Sequence, residues 1–154
     1  MAKQTIYLAA DHGGFKLKES IKSWLTDLEH QVVDCGANEL VDTDDYPDYA
    51  SKLAKKVQKD SDSIGILFCR SGSGTTIVAN KFRGIRAVDL NNTRAARYAI
   101  LHNNANVVSL GADWVGGNQA KNIIRVYLMT KFRGEERHKR RLNKITKLEK
   151  SLLK

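Results

Sequence analysis

The chain predicts an α/β fold: a three-layer sandwich with a five-stranded parallel, Rossmann-like sheet, helices on both faces and a C-terminal helical arm. Two observations carry this expectation. Short apolar runs of strand character alternate with amphipathic, helix-period stretches along the whole length, and that alternation builds a parallel sheet through right-handed crossovers. The strand-like runs also end in residues able to act chemically, namely Asp11-His12, Cys35-Gly36, Cys69-Arg70, Asn91-Asn92 and Gly111. The carboxyl edge of such a sheet is where α/β proteins bind ligands.

The elements follow in order. Residues 6–10 are the first strand and residues 15–28 a helix with Phe15, Leu17, Ile21, Trp24, Leu25 and Leu28 on its apolar stripe. Residues 31–34 form a short second strand. The acidic loop 42–45 leads to Tyr46-Pro47, and Pro47 suits the first turn of a helix reaching Val57. Residues 63–68 are the third strand, followed by a glycine- and serine-rich loop and a short helix over 77–81. Residues 85–88 and 107–110 are the fourth and fifth strands, with helices at 93–101, 117–127 and 135–153. The last helix carries Leu142, Ile145, Leu148 and Leu152 on one face, the pattern of an arm that docks on a partner subunit. No repeat, low-complexity tract or linker divides the chain, and Pro47 is its only proline, so residues 1–154 read as one domain with 135–154 as the arm.

Hydrophobic content of 42% fits a globular protein, and no apolar run approaches the roughly 18 residues of a membrane span. Residues 1–5 run straight into a strand-like segment, which reads as no signal peptide. Cys35 and Cys69 end different strands, so a reduced, cytoplasmic setting is expected and Cys35 is given a packing role. The net charge is +9, and residues 131–154 contribute ten Lys and Arg against Glu135, Glu136 and Glu149. That tail suits nucleic acid, a solvated helix or arginines reaching an anionic substrate. The rest of the chain is near neutral and the tail lacks interleaved aromatics, which argues against nucleic acid.

Residues 65–76 carry the most chemistry: an apolar strand stops at Cys69, and Arg70, Ser71, Gly72, Ser73 and Gly74 follow before a helix. Small residues there let backbone N–H groups turn inward as an anion nest. A thiolate beside such a pocket suits proton transfer next to a carbonyl. The loop fails the phosphate-loop template, because Thr75 rather than Lys follows Gly74, and the dinucleotide template, because Ile77 stands where the third glycine belongs. Taken alone, Cys69 is equally a buried small hydrophobe. Asp11 precedes a helix start that favours an anion, or it is a simple cap. His102 is a lone histidine before a strand. Arg137 and Arg141, four apart on one helix face, either clamp a phosphate or lie on a solvated basic face.

Beside these readings, the chain resembles the type B ribose-5-phosphate isomerase family, which includes allose-6-phosphate and galactose-6-phosphate isomerases. The matching pieces are 10–15 with Leu17-Lys18, Asp45-Tyr46-Pro47 with Tyr49-Ala50, Cys69 with Gly72 and Gly74, 79–87, His102-Asn103 with Asn106-Val107, and Arg137-His138 with Arg141. The resemblance implies a metal-free, cofactor-free aldose–ketose isomerase of the pentose phosphate pathway. Its implied unit is a homodimer or a dimer of dimers with shared active sites, without nucleic acid or membrane partners. It implies that Cys69 moves the proton between C1 and C2, Ser71 assists at the hydroxyls and the N–H groups of residues 70–74 hold the enediolate. It further implies that His102 opens the furanose ring with help from Asp11 and that Asn103 binds the sugar. His12, Arg137 and Arg141 take the phosphate, the arginines coming from the partner subunit, and Tyr46 lines the cleft.

Two positions depart from the family pattern. Arg70 stands where a small residue is usual, and Asp113 where many members carry a phosphate-binding arginine. Arg70 either replaces that cation, pairing with Asp113 or reaching substrate, or it faces solvent while Asp113 caps the helix near Gly116. The leading expectation is interconversion of ribose 5-phosphate and ribulose 5-phosphate. Isomerisation of a hexose 6-phosphate and a non-catalytic sugar-phosphate-binding protein stand as alternatives.

Overall fold

The computed structural model describes residues 4–152, so the expected helix end at Leu153 lies outside it. Five strands, β1 (Thr5–Ala10), β2 (Gln31–Asp34), β3 (Ile64–Cys69), β4 (Ala87–Asp89) and β5 (Val107–Gly111), form one sheet. All pairings are parallel, in the order β2-β1-β3-β5-β4. Among the described residues there are six helices: α1 (Phe15–Asp27), α2 (Tyr46–Lys59), α3 (Ser73–Ala79), α4 (Thr93–Asn103), α5 (Gly117–Met129) and α6 (Glu136–Leu152). The expected α/β sheet is therefore the observed one.

Alternate strand residues supply two cores. Ile6, Leu8, Ile66, Phe68 and Leu110 pack against Ile21 and Leu25 of α1, Ala99 of α4 and Ile123 of α5. Ala9, Leu67 and Val107 face the other way, onto Leu53, Ala54 and Val57 of α2 and Ala79 of α3. Every residue of β3 is buried, which explains its unbroken apolar sequence at the sheet centre. Strand order reverses direction between β1 and β3, so the crevice of this sheet opens where Asp11 and Cys69 end their strands.

Several boundaries differ from the sequence reading for local reasons. β3 runs from Ile64 to Cys69 rather than over 63–68, with Cys69 as its last residue, paired with Gly111. The helix expected from residue 77 begins at Ser73. Gly72 turns with a left-handed φ of 83°, and its carbonyl accepts from the Thr75 and Thr76 hydroxyls at 3.0 and 2.9 Å. β4 begins at Ala87 rather than residue 85, because Ile85 N closes a turn on Phe82 O and Arg86 N is taken by Asn106 Oδ1. α4 runs on to Asn103: the Asn92 side chain caps its start and Asn104, at φ 44°, ends it. His102 and Asn103 thus lie in the last helical turn.

One buried charge ties α1 to β2. Lys18 is fully buried, and its Nζ donates to Asp34 Oδ2 at 2.7 Å and to Ala37 O at 2.5 Å. Burial alone would raise the Asp34 carboxyl, but the Lys18 and Lys22 ammonium groups and the Gly36 N–H outweigh it and hold it below its ordinary value. A depressed carboxylate contributes stability above its unfolded pKa of about 3.9 and loses it as pH falls further. Asp34→Ala leaves the Lys18 charge buried with weaker partners. Chemical denaturation is expected to show a loss of about 3 kcal/mol at neutral pH, shrinking below about pH 4.

Candidate active site

The Cys69 side chain sits at the carboxyl end of β3, 4% exposed. Its Sγ accepts the Gly72 N–H at 3.0 Å and lies 3.4 Å from Thr75 Oγ1. The N–H of Gly72 therefore turns onto the sulfur, so the expected 70–74 nest does not have that donor free for a substrate oxyanion. Ser71 Oγ bonds Ser73 Oγ at 2.8 Å, and the hydroxyl against the thiol is that of Thr75. Gly72 is held closely by its surroundings: an added Cβ would run into the Asp89 carboxylate at the end of β4. A Cβ on Gly74 would come within 2.8 Å of the Tyr46 ring, which places Tyr46 over the 72–74 loop.

Across the crevice, Asp11 is 6% exposed and accepts Gly14 N–H through Oδ1 at 3.2 Å. It closes the turn into α1, and Gly14 rather than Asp11 is the helix N-cap. Burial raises the Asp11 carboxyl above its ordinary value, which suits a group that must exchange a proton. His12 is bound twice by one carboxylate oxygen, since Asp44 Oδ1 lies 2.8 Å from both its backbone N and its ring Nδ1. Asp44 raises the His12 ring pKa and so favours the cation an anionic ligand needs. The sequence reading placed Asp44 in a plain acidic loop, and only the fold brings it to His12. Arg70 packs its stem against Gly13, and Nη1 lies 3.9 Å from Asp113 Oδ2. The two side chains are thus in long ion-pair contact, while Arg70 is also 67% exposed and so faces solvent as well. The cap of α5 is Gly116, without a side-chain hydrogen bond.

The remaining candidates lie elsewhere. α4 runs back along the sheet, so His102 and Asn103 end at its amino edge. Asn103 O accepts Arg86 Nε at 3.1 Å just before β4, while Asn106 O pairs with Gly65 N at the start of β3. From Gly65 to Cys69 is about 13 Å of strand. His102 is stacked between Tyr98 and His138, with ring centroids 4.7 and 4.8 Å away. His138 belongs to α6, so Arg137 and Arg141 accompany His102 at the amino edge. Arg137 Nε meets Glu135 Oε2 at 3.1 Å. One chain therefore holds two half-sets: Asp11, His12, Tyr46, Cys69, Arg70 and the loop 71–74 on one edge, and His102, Asn103, Arg137 and Arg141 on the other.

Asp11, His12 and Asp44 offer ligand atoms within 4.8 Å of one another. The His12–Asp44 bond uses Nδ1, which makes this an orienting pair. No described helix is long and apolar enough to cross a membrane.

Because Asp44 is the main cause of the raised His12 pKa, Asp44→Asn is expected to move the His12 titration to lower pH. The histidine ring proton resonances followed against pH check this, and an unmoved His12 midpoint would contradict it.

Comparison with known proteins identifies the family. The family model described as Ribose/Galactose Isomerase matches residues 6–145. A probable ribose-5-phosphate isomerase B of Mycoplasma genitalium is 40% identical over 146 residues, covering 94% of this chain and 95% of that protein. The ribose-5-phosphate isomerase B structure from Clostridium thermocellum superposes with a TM-score of 0.92 at 37% identity, over 96% of this chain and 99% of its own. The Mycoplasma genitalium enzyme with bound ribulose 5-phosphate gives 0.93 at 38% identity, over 97% and 99% of the two chains. With the family model matching residues 6–145 and both sequence and fold in agreement over nearly the full length, the chain belongs to the ribose/galactose isomerase family.

Proposed function

We propose that this chain interconverts ribose 5-phosphate and ribulose 5-phosphate through an enediolate, with Cys69 as the base. The observation that supports this most is the buried Cys69 sulfur at the β1/β3 switch point, on the same sheet edge as Asp11, whose carboxyl pKa burial raises. In the open-chain aldose the thiolate takes the C2 proton, the C–H electron pair forms the C1=C2 bond and the carbonyl pair goes onto O1. The O2 proton passes to O1, and the thiol returns its proton to C1 as the C2=O2 bond forms, giving the ketose. Oxyanion charge that develops on O1 and O2 is met by loop N–H groups and the Ser71 hydroxyl. Gly72, Ser73 and Gly74 shape that loop, and Tyr46 covers it. His12, whose ring pKa Asp44 raises, binds phosphate together with Arg70. Family membership and the ribulose-5-phosphate complex of the Mycoplasma relative support the substrate choice.

The reading requires a second copy. His102, for ring opening with Asp11, and Asn103, Arg137 and Arg141 reach the Cys69 edge only from a partner subunit, in a homodimer or a dimer of dimers. An apolar groove of about 470 Å³ supports this. Ile85 and Val88 beside the sheet edge and Ile145, Leu148 and Leu152 of α6 line it. Leu148 and Leu152 are 59% and 76% exposed in the single chain. Residues 1–154 then act as one isomerase domain in the cytoplasm, with 135–154 as the arm that shares the site.

A hexose 6-phosphate is the second reading, favoured by the Arg70–Asp113 pair, which rearranges charge at the cleft mouth. Coupled assays on ribose 5-phosphate, allose 6-phosphate and galactose 6-phosphate decide between them. The highest kcat/KM is expected on ribose 5-phosphate, and no turnover of any of the three would refute the isomerase reading. Cys69→Ala is expected to keep the fold and lose about 10² to 10⁴ in kcat, together with proton exchange at C2 in deuterated water. Arg70→Gly is expected to raise KM for the sugar phosphate several-fold and to leave kcat nearly unchanged.

A further inference from the structure

Behind the thiol lies a pair of hydroxyls that nothing in the proposed reaction has used. Thr75 and Ser109 are 1% and 0% exposed, and their oxygens are 2.9 Å apart. Thr75 Oγ1 touches three groups: Ser109 Oγ, the Gly72 carbonyl at 3.0 Å and Cys69 Sγ at 3.4 Å. We propose that Thr75 and Ser109 form a hydroxyl relay that compensates Cys69 for gaining and losing a proton without moving any heavy atom. The proposal rests on the reading of Cys69 as the base.

Counting donors gives the argument. Each hydroxyl carries one proton and accepts up to two. Ser109 is fully buried on β5, and among the described residues its hydroxyl bonds to Thr75, so its proton is spent there. The single Thr75 proton then has two destinations, Cys69 Sγ or Gly72 O. With Cys69 as thiolate, the sulfur accepts two bonds, one from Gly72 N–H and one from Thr75 O–H. With Cys69 as thiol, the S–H donates to the second lone pair of Thr75, and the Thr75 proton swings to Gly72 O. Gly72 O loses little when Thr75 turns away, because it also accepts Thr76 N–H at 3.2 Å and the Thr76 hydroxyl at 2.9 Å. Both protonation states are fully bonded, so neither leaves a buried group unpaired. Thr75 and Ser109 are thus positioning residues that act through the sulfur.

Other charges face the same loop. They are Asp11 and His12 after β1, Arg70 with its stem against Gly13, Asp89 against Gly72 and Asp113 after β5, with the titratable Tyr46 ring over Gly74. All of them stay in place when one hydroxyl is removed, so a Thr75 variant isolates the relay from the general field of the site.

The test reads the thiolate directly, by its ultraviolet absorbance against pH, with the trace of Cys69→Ala subtracted. Cys35, whose thiol burial pushes up, cancels in the subtraction. Thr75→Val keeps the shape and removes the hydroxyl, and is expected to move the Cys69 midpoint up by about one unit, a tenfold loss of thiolate below it. Thr75→Ser is expected to keep the parent midpoint, and Ser109→Ala to move it the same way by less. In the sugar-phosphate assay the acidic limb of kcat/KM should follow the same order. A Thr75→Val midpoint coincident with the parent overturns the relay, and if that variant does not fold, an unmoved midpoint in Ser109→Ala does so. The titration needs no turnover, so failure of the relay and failure of the isomerase reading appear in different measurements.

Discussion

Parallel pairing is the constraint on which everything else in this molecule depends. Every strand runs the same way, so every strand end faces one edge of the sheet and the helices that follow run back toward the other. Cys69 and Asp11 close strands, and His102 and Asn103 close a helix. The same crossover rule that builds the core therefore keeps the two chemical half-sets a strand length apart within one chain. The arm helix α6 reinforces the separation, because His138 is buried against the His102 ring and carries Arg137 and Arg141 with it.

On the carboxyl edge, each active group is held by something short and buried. Backbone and hydroxyl donors surround the Cys69 sulfur, one carboxylate oxygen grips both nitrogens of His12, and Asp11 is fixed by the turn into α1. Glycine makes these approaches possible. A side chain at Gly14 would strike the Phe68 backbone, and one at Gly111 would come within 2.6 Å of Ser71. The loop is thus pinned between β1, β4 and β5, which suits a site whose proton transfers need fixed distances.

The sheet was readable because its strands are short apolar runs and its helices carry clear stripes, signals set by burial alone. The strand-end position of Cys69 and a turn at Asp11 were readable for the same reason, although the cap of α1 is Gly14 rather than Asp11. The start of α3 was not, because glycine and serine advertise a loop while the Thr75 and Thr76 hydroxyls that close the turn on Gly72 act through three-dimensional contacts. Asp44, Thr75 and Ser109 escaped notice because each is an ordinary polar residue until a distant segment is packed beside it. Ser109 sits mid-strand and meets Thr75 only where α3 packs against β5. The Arg70–Asp113 contact was legible as a charge exchange between two positions, since both follow neighbouring strands that end at the same edge.

Subunit mixing tests the opposed half-sets most directly. Inactive Cys69→Ala and inactive His102→Ala chains are combined, allowed to exchange, and assayed on ribose 5-phosphate after mass spectrometry has confirmed mixed dimers. A site built from two copies predicts recovery of about a quarter of wild-type activity, since half of the dimers are mixed and each of those holds one intact site. No recovered activity in proven mixed dimers would place Cys69 and His102 in the same subunit's site and contradict the edge-to-edge assignment.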